Sequence, residues 1–183
     1  MIELTAKRYN VKCMTHSTSK LGNTFTWLGW IGGFALLALL FQQVINDQVN
    51  PNRNVDSFVA DGFQQIELQR NRQGHYLLDG SINGKSVTFL VDTGATTTSL
   101  PAALGDRLGL ERGYAFDVST ANGRTRAYGT RLDSVRLGDI EFRRVSASLI
   151  PGFDGNEVLL GMNILKHLEL IQRGDTLVLR TPL

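Results

Sequence analysis

Thr88-Phe89-Leu90-Val91-Asp92-Thr93-Gly94-Ala95 is the stretch on which the fold turns: an apolar strand ends abruptly in an acid, a hydroxyl and two small residues. An aspartate at the end of a buried strand is partly desolvated, which disfavours its charged form and suits it to carry a proton. The glycine two residues on lets a backbone or a substrate come within contact distance. The same residues also suit an ordinary strand exit, because Asp, Thr and Gly are common turn formers. The octapeptide therefore nominates Asp92 as a catalytic candidate supported by Thr93, Gly94 and Ala95, and a second signal is needed to decide.

Outward from this stretch the chain reads as strands. Residues 75–82 and 85–92 flank Asn83-Gly84, a pair that tolerates positive φ at both positions and signals a tight hairpin. Upstream, Ile66 and Leu68 alternate with polar neighbours, and Asn71-Arg72-Gln73-Gly74 is a turn. Downstream, residues 101–108 form a short helix candidate that opens on Pro101 and closes on Gly109. A second hairpin is expected around Asn122-Gly123, with arms from about Phe116 and to about Leu132. Further strands are expected over residues 134–137, 140–150, 168–172 and 176–180, the last two joined by Arg173-Gly174-Asp175. About eight short strands with turns predict a mainly β domain over residues 63–183, closed as a compact barrel.

The N-terminal third has a different texture. Residues 25–45 carry no formal charge and their centre is almost wholly apolar, which predicts a single transmembrane helix if Gln42 and Gln43 reach the far interface. Trp27 and Trp30 suit the headgroup level at its start. A cleaved signal peptide would need small residues after the apolar core, and Phe41-Gln42-Gln43-Val44-Ile45 has none. Lys7, Arg8, Lys12 and Lys20 mark residues 1–24 as a basic segment on the cytoplasmic side, against Arg53 alone just beyond the helix. Residues 46–62 are polar with one proline and read as a short tether to a domain on the outer side.

Composition narrows the function. The chain's 183 residues allow one core, its formal net charge is +2, and once the basic segment is set aside the globular part is close to neutral. No basic stripe of the kind that neutralises phosphates is present, so nucleic acid is not expected as a partner. The single cysteine, Cys13, precludes a disulfide framework or a cysteine-rich metal site within one chain. His16, His75 and His167 lack zinc-protease spacing, so neither a metal nor a cofactor is expected. Gly80-Ser81-Ile82-Asn83-Gly84-Lys85-Ser86 is one residue too short between its glycines for a phosphate-binding loop and precedes a strand. There is no Gly-x-Ser-x-Gly elbow for a serine hydrolase.

With these alternatives set aside, the region from Phe63 onward resembles the retropepsin-like aspartic proteases. Besides Val91-Asp92-Thr93-Gly94-Ala95, the resemblance rests on Leu159-Leu160-Gly161-Met162-Asn163-Ile164-Leu165, which begins 67 residues after Asp92. It matches the family's aliphatic pair, glycine and short helix behind the catalytic loop. The resemblance implies that Asp92 is catalytic, that Leu159, Leu160 and Gly161 back its loop, and that Asn122 and Gly123 tip a flap over substrate. Viral members carry an acid soon after the Asp-Thr-Gly-Ala and an arginine after the later glycine. Thr96 and Met162 stand in those places here, which is closer to bacterial membrane-anchored members.

Acid–base peptide hydrolysis of this kind needs two carboxyl groups about 3 Å apart sharing one proton. No other aspartate here is followed by Thr/Ser-Gly, so the expectation is a symmetric homodimer in which Asp92 meets its twin on the two-fold axis. By the same resemblance Thr93 bonds across the dimer and Gly94 leaves room for a peptide backbone. The expected location is a bacterial inner membrane, with the protease domain periplasmic. Two alternatives stay open: a catalytically silent retropepsin-like module that only binds or dimerises, and a docking face built from Arg124, Arg126, Arg131, Arg136, Arg143 and Arg144.

Overall fold

The computed structural model describes residues 19–120, 123–153 and 155–183. The chain divides into two compact units, Met1–Gln43 and Val44–Leu183. The apolar run lies within helix α1 (Ser19–Val49), where Trp27, Trp30, Phe34, Leu37, Leu40 and Phe41 are all exposed. Among the described residues no helix is long and apolar enough to cross a membrane.

The second unit consists of two sheets and two short helices. One sheet is four-stranded, in the order β1 (Ser57–Ala60), β2 (Phe63–Gln69), β11 (Thr176–Pro182), β10 (Glu169–Arg173), and all its pairs are antiparallel. The other has seven strands: β3 (Leu77–Ile82), β4 (Lys85–Val91), β9 (Val158–Leu160), β5 (Thr98–Pro101), β8 (Ile140–Ile150), β7 (Gly123–Leu137) and β6 (Ala115–Thr120). Helix α2 (Ala102–Leu108) follows β5 and ends on Gly109 at φ 76°, and α3 (Met162–Leu165) follows β9.

Local chemistry accounts for the hairpins. Asn83 and Gly84 both have positive φ, 51° and 77°, the backbone that matches the right-handed twist of β3 and β4. In β2, Ile66 and Leu68 face inward with no exposure while Glu67 and Gln69 face solvent, so the period-two pattern sets the strand's buried face. Phe89, Leu78, Leu100, Leu132, Leu149 and Leu160 meet in one core. Each such fully buried side chain stabilises the fold by roughly 1.5–3 kcal/mol relative to exposure.

Several expectations need correction. The expected closed barrel is instead two sheets. β3 and β7 do meet, but only at Ser81↔Arg136 and Ile82↔Val135, and the four-stranded sheet keeps open edges at β1 and β10. The arm expected to end near Leu132 and the separate strand over residues 134–137 are one 15-residue strand, β7. Asp133 is an exposed position between buried Leu132 and half-buried Ser134, and the strand runs on through it although the pairing with β8 passes from Leu132↔Val145 to Ser134↔Arg143. Residues expected as a tether are built into the domain. Asn52 is buried, donates from Nδ2 to Gln69 O (2.9 Å) and Leu77 O (2.6 Å), and accepts from Gln69 N (2.7 Å). Asn50 is buried too, and its Nδ2 donates to Asp79 Oδ1 at 2.8 Å. Polarity at these positions serves partners within the domain, a carboxylate for Asn50 and strand backbones for Asn52, not solvent.

Candidate active site

β4 carries Val87 and Phe89 into the core and delivers Asp92 immediately past its last residue, so the packing of the strand fixes where the carboxyl group sits. β4 runs parallel to β9 with Phe89↔Val158, Leu90↔Leu159 and Val91↔Leu160, and Asp92 N donates to Leu160 O at 3.2 Å. The chain then turns sharply. Ala95 N donates to Asp92 O (3.3 Å), and Gly94 N donates to the carboxyl oxygen Oδ1 (2.9 Å). A backbone amide thus orients one carboxyl oxygen, while Oδ2 accepts no hydrogen bond among the described residues. Asp92 is half-buried, and Thr93 and Gly94 are exposed on the loop.

The Leu159-Leu160-Gly161 run lies directly behind this loop. Leu160 and Gly161 are buried and Leu159 lines the cleft in front. Met162 N donates to Ala95 O (2.8 Å) and Asn163 N to Thr96 O (3.1 Å), so the first turn of α3 holds the loop by its carbonyls. Asn163 was not among the residues singled out from sequence, yet it binds on both sides. Its Oδ1 accepts from Thr98 N (2.8 Å) and Thr98 Oγ1 (3.0 Å), and its Nδ2 donates to Ser146 O (2.8 Å) on β8. One side chain therefore ties the far end of the Asp92 loop to α3 and to the neighbouring strand. Asn163→Ala removes these three bonds and leaves the Thr98 amide without its acceptor. We expect a loss of roughly 1–3 kcal/mol, read as a lower midpoint in urea at unchanged slope.

Asp92 lines a cleft of about 820 Å³. Gly94, Ala95, Thr96 and Thr97 belong to the same lining, Phe116, Val118 and Thr125 come from the β6–β7 hairpin, and Ile150 to Phe153 come from the end of β8 and the turn after it. The hairpin is the element expected as a flap. Gly123 opens β7 at φ 102° opposite Thr120, whereas Asn122 lies outside the described residues. Among the described residues no group of three or more His, Cys, Asp or Glu side chains could hold a metal ion. The arrangement offers an oriented carboxyl group in an open cleft of mixed polar and apolar lining.

Residues 78–167 match the sequence model of a family described as "gag-polyprotein putative aspartyl protease". An uncharacterized protein from the cobV 5' region of Sinorhizobium sp is 34% identical over 125 residues, 66% of this chain and 54% of that protein. An uncharacterized Rickettsia prowazekii protein, RP867, is 30% identical over 107 residues, 56% of this chain and 45% of that protein. The chain thus spans about half the length of the curated relatives it matches. The crystal structure of a retropepsin-like aspartic protease from Rickettsia conorii superposes with a TM-score of 0.56 at 26% identity, covering 68% of this chain and 96% of that one. The family-model match and the superposition on the Rickettsia conorii structure together support a retropepsin-like aspartic protease.

Proposed function

We propose that the chain is an aspartic endopeptidase that works as a symmetric homodimer, with the two Asp92 carboxyl groups meeting at the dimer axis. The observation that carries this reading is the oriented, half-buried Asp92 carboxyl in a cleft of about 820 Å³, with no second acid in its lining among the described residues. In the dimer one carboxylate takes a proton from water as the water oxygen attacks the scissile carbonyl carbon, and the other carboxyl gives its proton to the carbonyl oxygen. The tetrahedral diol then collapses, the C–N bond breaks, and the amine leaves with a proton returned from the pair. Thr93, exposed beside Asp92, is available to bond to the partner's loop, and Gly94 leaves the loop open to a peptide backbone.

Residues 25–45 anchor the protein as a single pass in a bacterial inner membrane, with the basic segment cytoplasmic and the protease domain periplasmic. The support for this is the uncharged apolar run and the charge asymmetry around it. Confinement to one bilayer raises the effective concentration of the two half-sites. Specific activity of the detergent-solubilised chain should accordingly fall as it is diluted below its dimer dissociation constant and recover when it is concentrated in liposomes. Activity strictly proportional to protein over the whole range, with a monomer by light scattering, would count against the dimeric site.

A further inference from the structure

Asp92 and Arg124 are the only ionisable side chains lining the cleft among the described residues. Arg124 is the second residue of β7, in the hairpin that lines one side of the cleft, and is exposed. Across the β6–β7 ladder it faces Ser119, whereas Arg126, one pair further from the turn than Thr125, faces Asp117. Elsewhere on the domain some arginines are engaged by acids: Arg70 by Asp175, Arg112 by Asp106, Arg136 and Arg143 by Glu141, and Arg180 by Glu169. Among the described residues Arg124 makes no such pair, and no side-chain hydrogen bond from them occupies its guanidinium. The rest of the lining is hydroxyl, backbone and apolar surface, including Phe116, Ile150 and Phe153. A guanidinium has five donors and no acceptor, and its best complement is a carboxylate held by two parallel bonds.

We infer that Arg124 is a specificity-determining residue that selects peptides carrying Asp or Glu near the scissile bond. This inference rests on the protease reading above and adds a substrate class to it. Symmetry strengthens the charge argument. A dimeric cleft holds two Arg124 side chains against the single negative charge that two Asp92 carboxyls sharing a proton retain, so its net field favours an anionic side chain over a cationic one.

The test uses the full chain in detergent and matched peptides that differ only by Glu, Gln or Lys, stepped through three positions on each side of the cleaved bond. At low salt we expect at least one position at which Glu raises kcat/KM by about tenfold over Gln, as a charge-assisted hydrogen bond allows. The ratio should shrink as ionic strength rises. Arg124→Gln should bring it to about one, and Arg124→Glu should turn the preference toward Lys. A ratio of about one at every position in the wild type, or a Glu preference that survives Arg124→Gln, would overturn the inference. If no peptide is cleaved at all, the protease reading fails, and binding still decides the role of Arg124. Fluorescently labelled Glu peptides should then bind Asp92→Asn protein more tightly than their Gln counterparts, an advantage that disappears when Arg124→Gln is added. Equal binding of the two peptides would overturn it by that route.

Discussion

Asp92→Asn abolishes peptide cleavage while leaving the domain folded. The amide is nearly isosteric with the carboxyl group, and its oxygen can still accept from Gly94 N, the bond that sets the loop's geometry. Stability should therefore move by less than about 1 kcal/mol, since the bond is kept and no cavity opens. The chemistry does not survive, because an asparagine oxygen cannot take a proton from water at any pH the fold tolerates. General acid–base catalysis contributes typically 10²–10⁴-fold, and in a homodimer both members are replaced at once, so a loss of at least about 10³-fold is expected. Mixing gives a sharper result. When wild-type and Asp92→Asn chains are unfolded together in equal amounts and refolded, random pairing leaves about a quarter of the dimers with two aspartates. Activity should fall to that quarter of the all-wild-type value at the same total protein. A fall only to one half would mean that each chain carries a complete site, and the dimeric assignment would be wrong.

The parts of this site that could be read from sequence are those with a periodic or positional signature. Asp92 breaks an apolar run at a strand end, and Asn83-Gly84 demands positive φ twice, so the hairpin that delivers Asp92 follows from local rules. Leu159-Leu160-Gly161 lies beside that loop because two aliphatics on a three-residue strand need a partner, and β4 supplies it in parallel. What could not be read has no period. Asn163 is a single polar residue in a four-residue helix, and nothing local distinguishes it from a solvated one. Asn50 and Asn52 sit in a stretch whose composition matches a linker, yet both are buried and make long-range bonds, Asn50 to the Asp79 carboxylate and Asn52 to strand backbones. Their partners lie 17 to 29 residues away, beyond any window that propensity inspects. The division into two sheets has the same origin, since β2 pairs with β11 across most of the domain's length.

Gly161→Ala is expected to damage the protein more than any other single-methyl change near the site. Gly161 has φ −86° and ψ 176°, which any residue can adopt, so its requirement is for space and not for backbone freedom. A Cβ there would stand 2.6 Å from the Thr97 carbonyl carbon, 2.8 Å from Thr97 O and 2.9 Å from Ala95 O. All three atoms are backbone, so no side chain can rotate away, and relief requires the loop of residues 95–97 to move as a whole. That displacement pulls on Met162 N→Ala95 O and Asn163 N→Thr96 O, the two bonds that hold the loop against α3. Overpacking of this kind costs typically 1–3 kcal/mol, and loosening the two bonds adds to it, so about 3 kcal/mol or more is expected. Gly94→Ala provides the contrast. There a Cβ meets only Asp92 Oδ1, at 3.1 Å, on an exposed loop. That variant should unfold at nearly the wild-type urea concentration yet lose activity, because the methyl group crowds the carboxyl oxygen and the groove in front of it. Gly161→Ala should lower both together. If instead it melts like the wild type while Gly94→Ala does not, the loop is held by something other than its seat on Gly161 and α3.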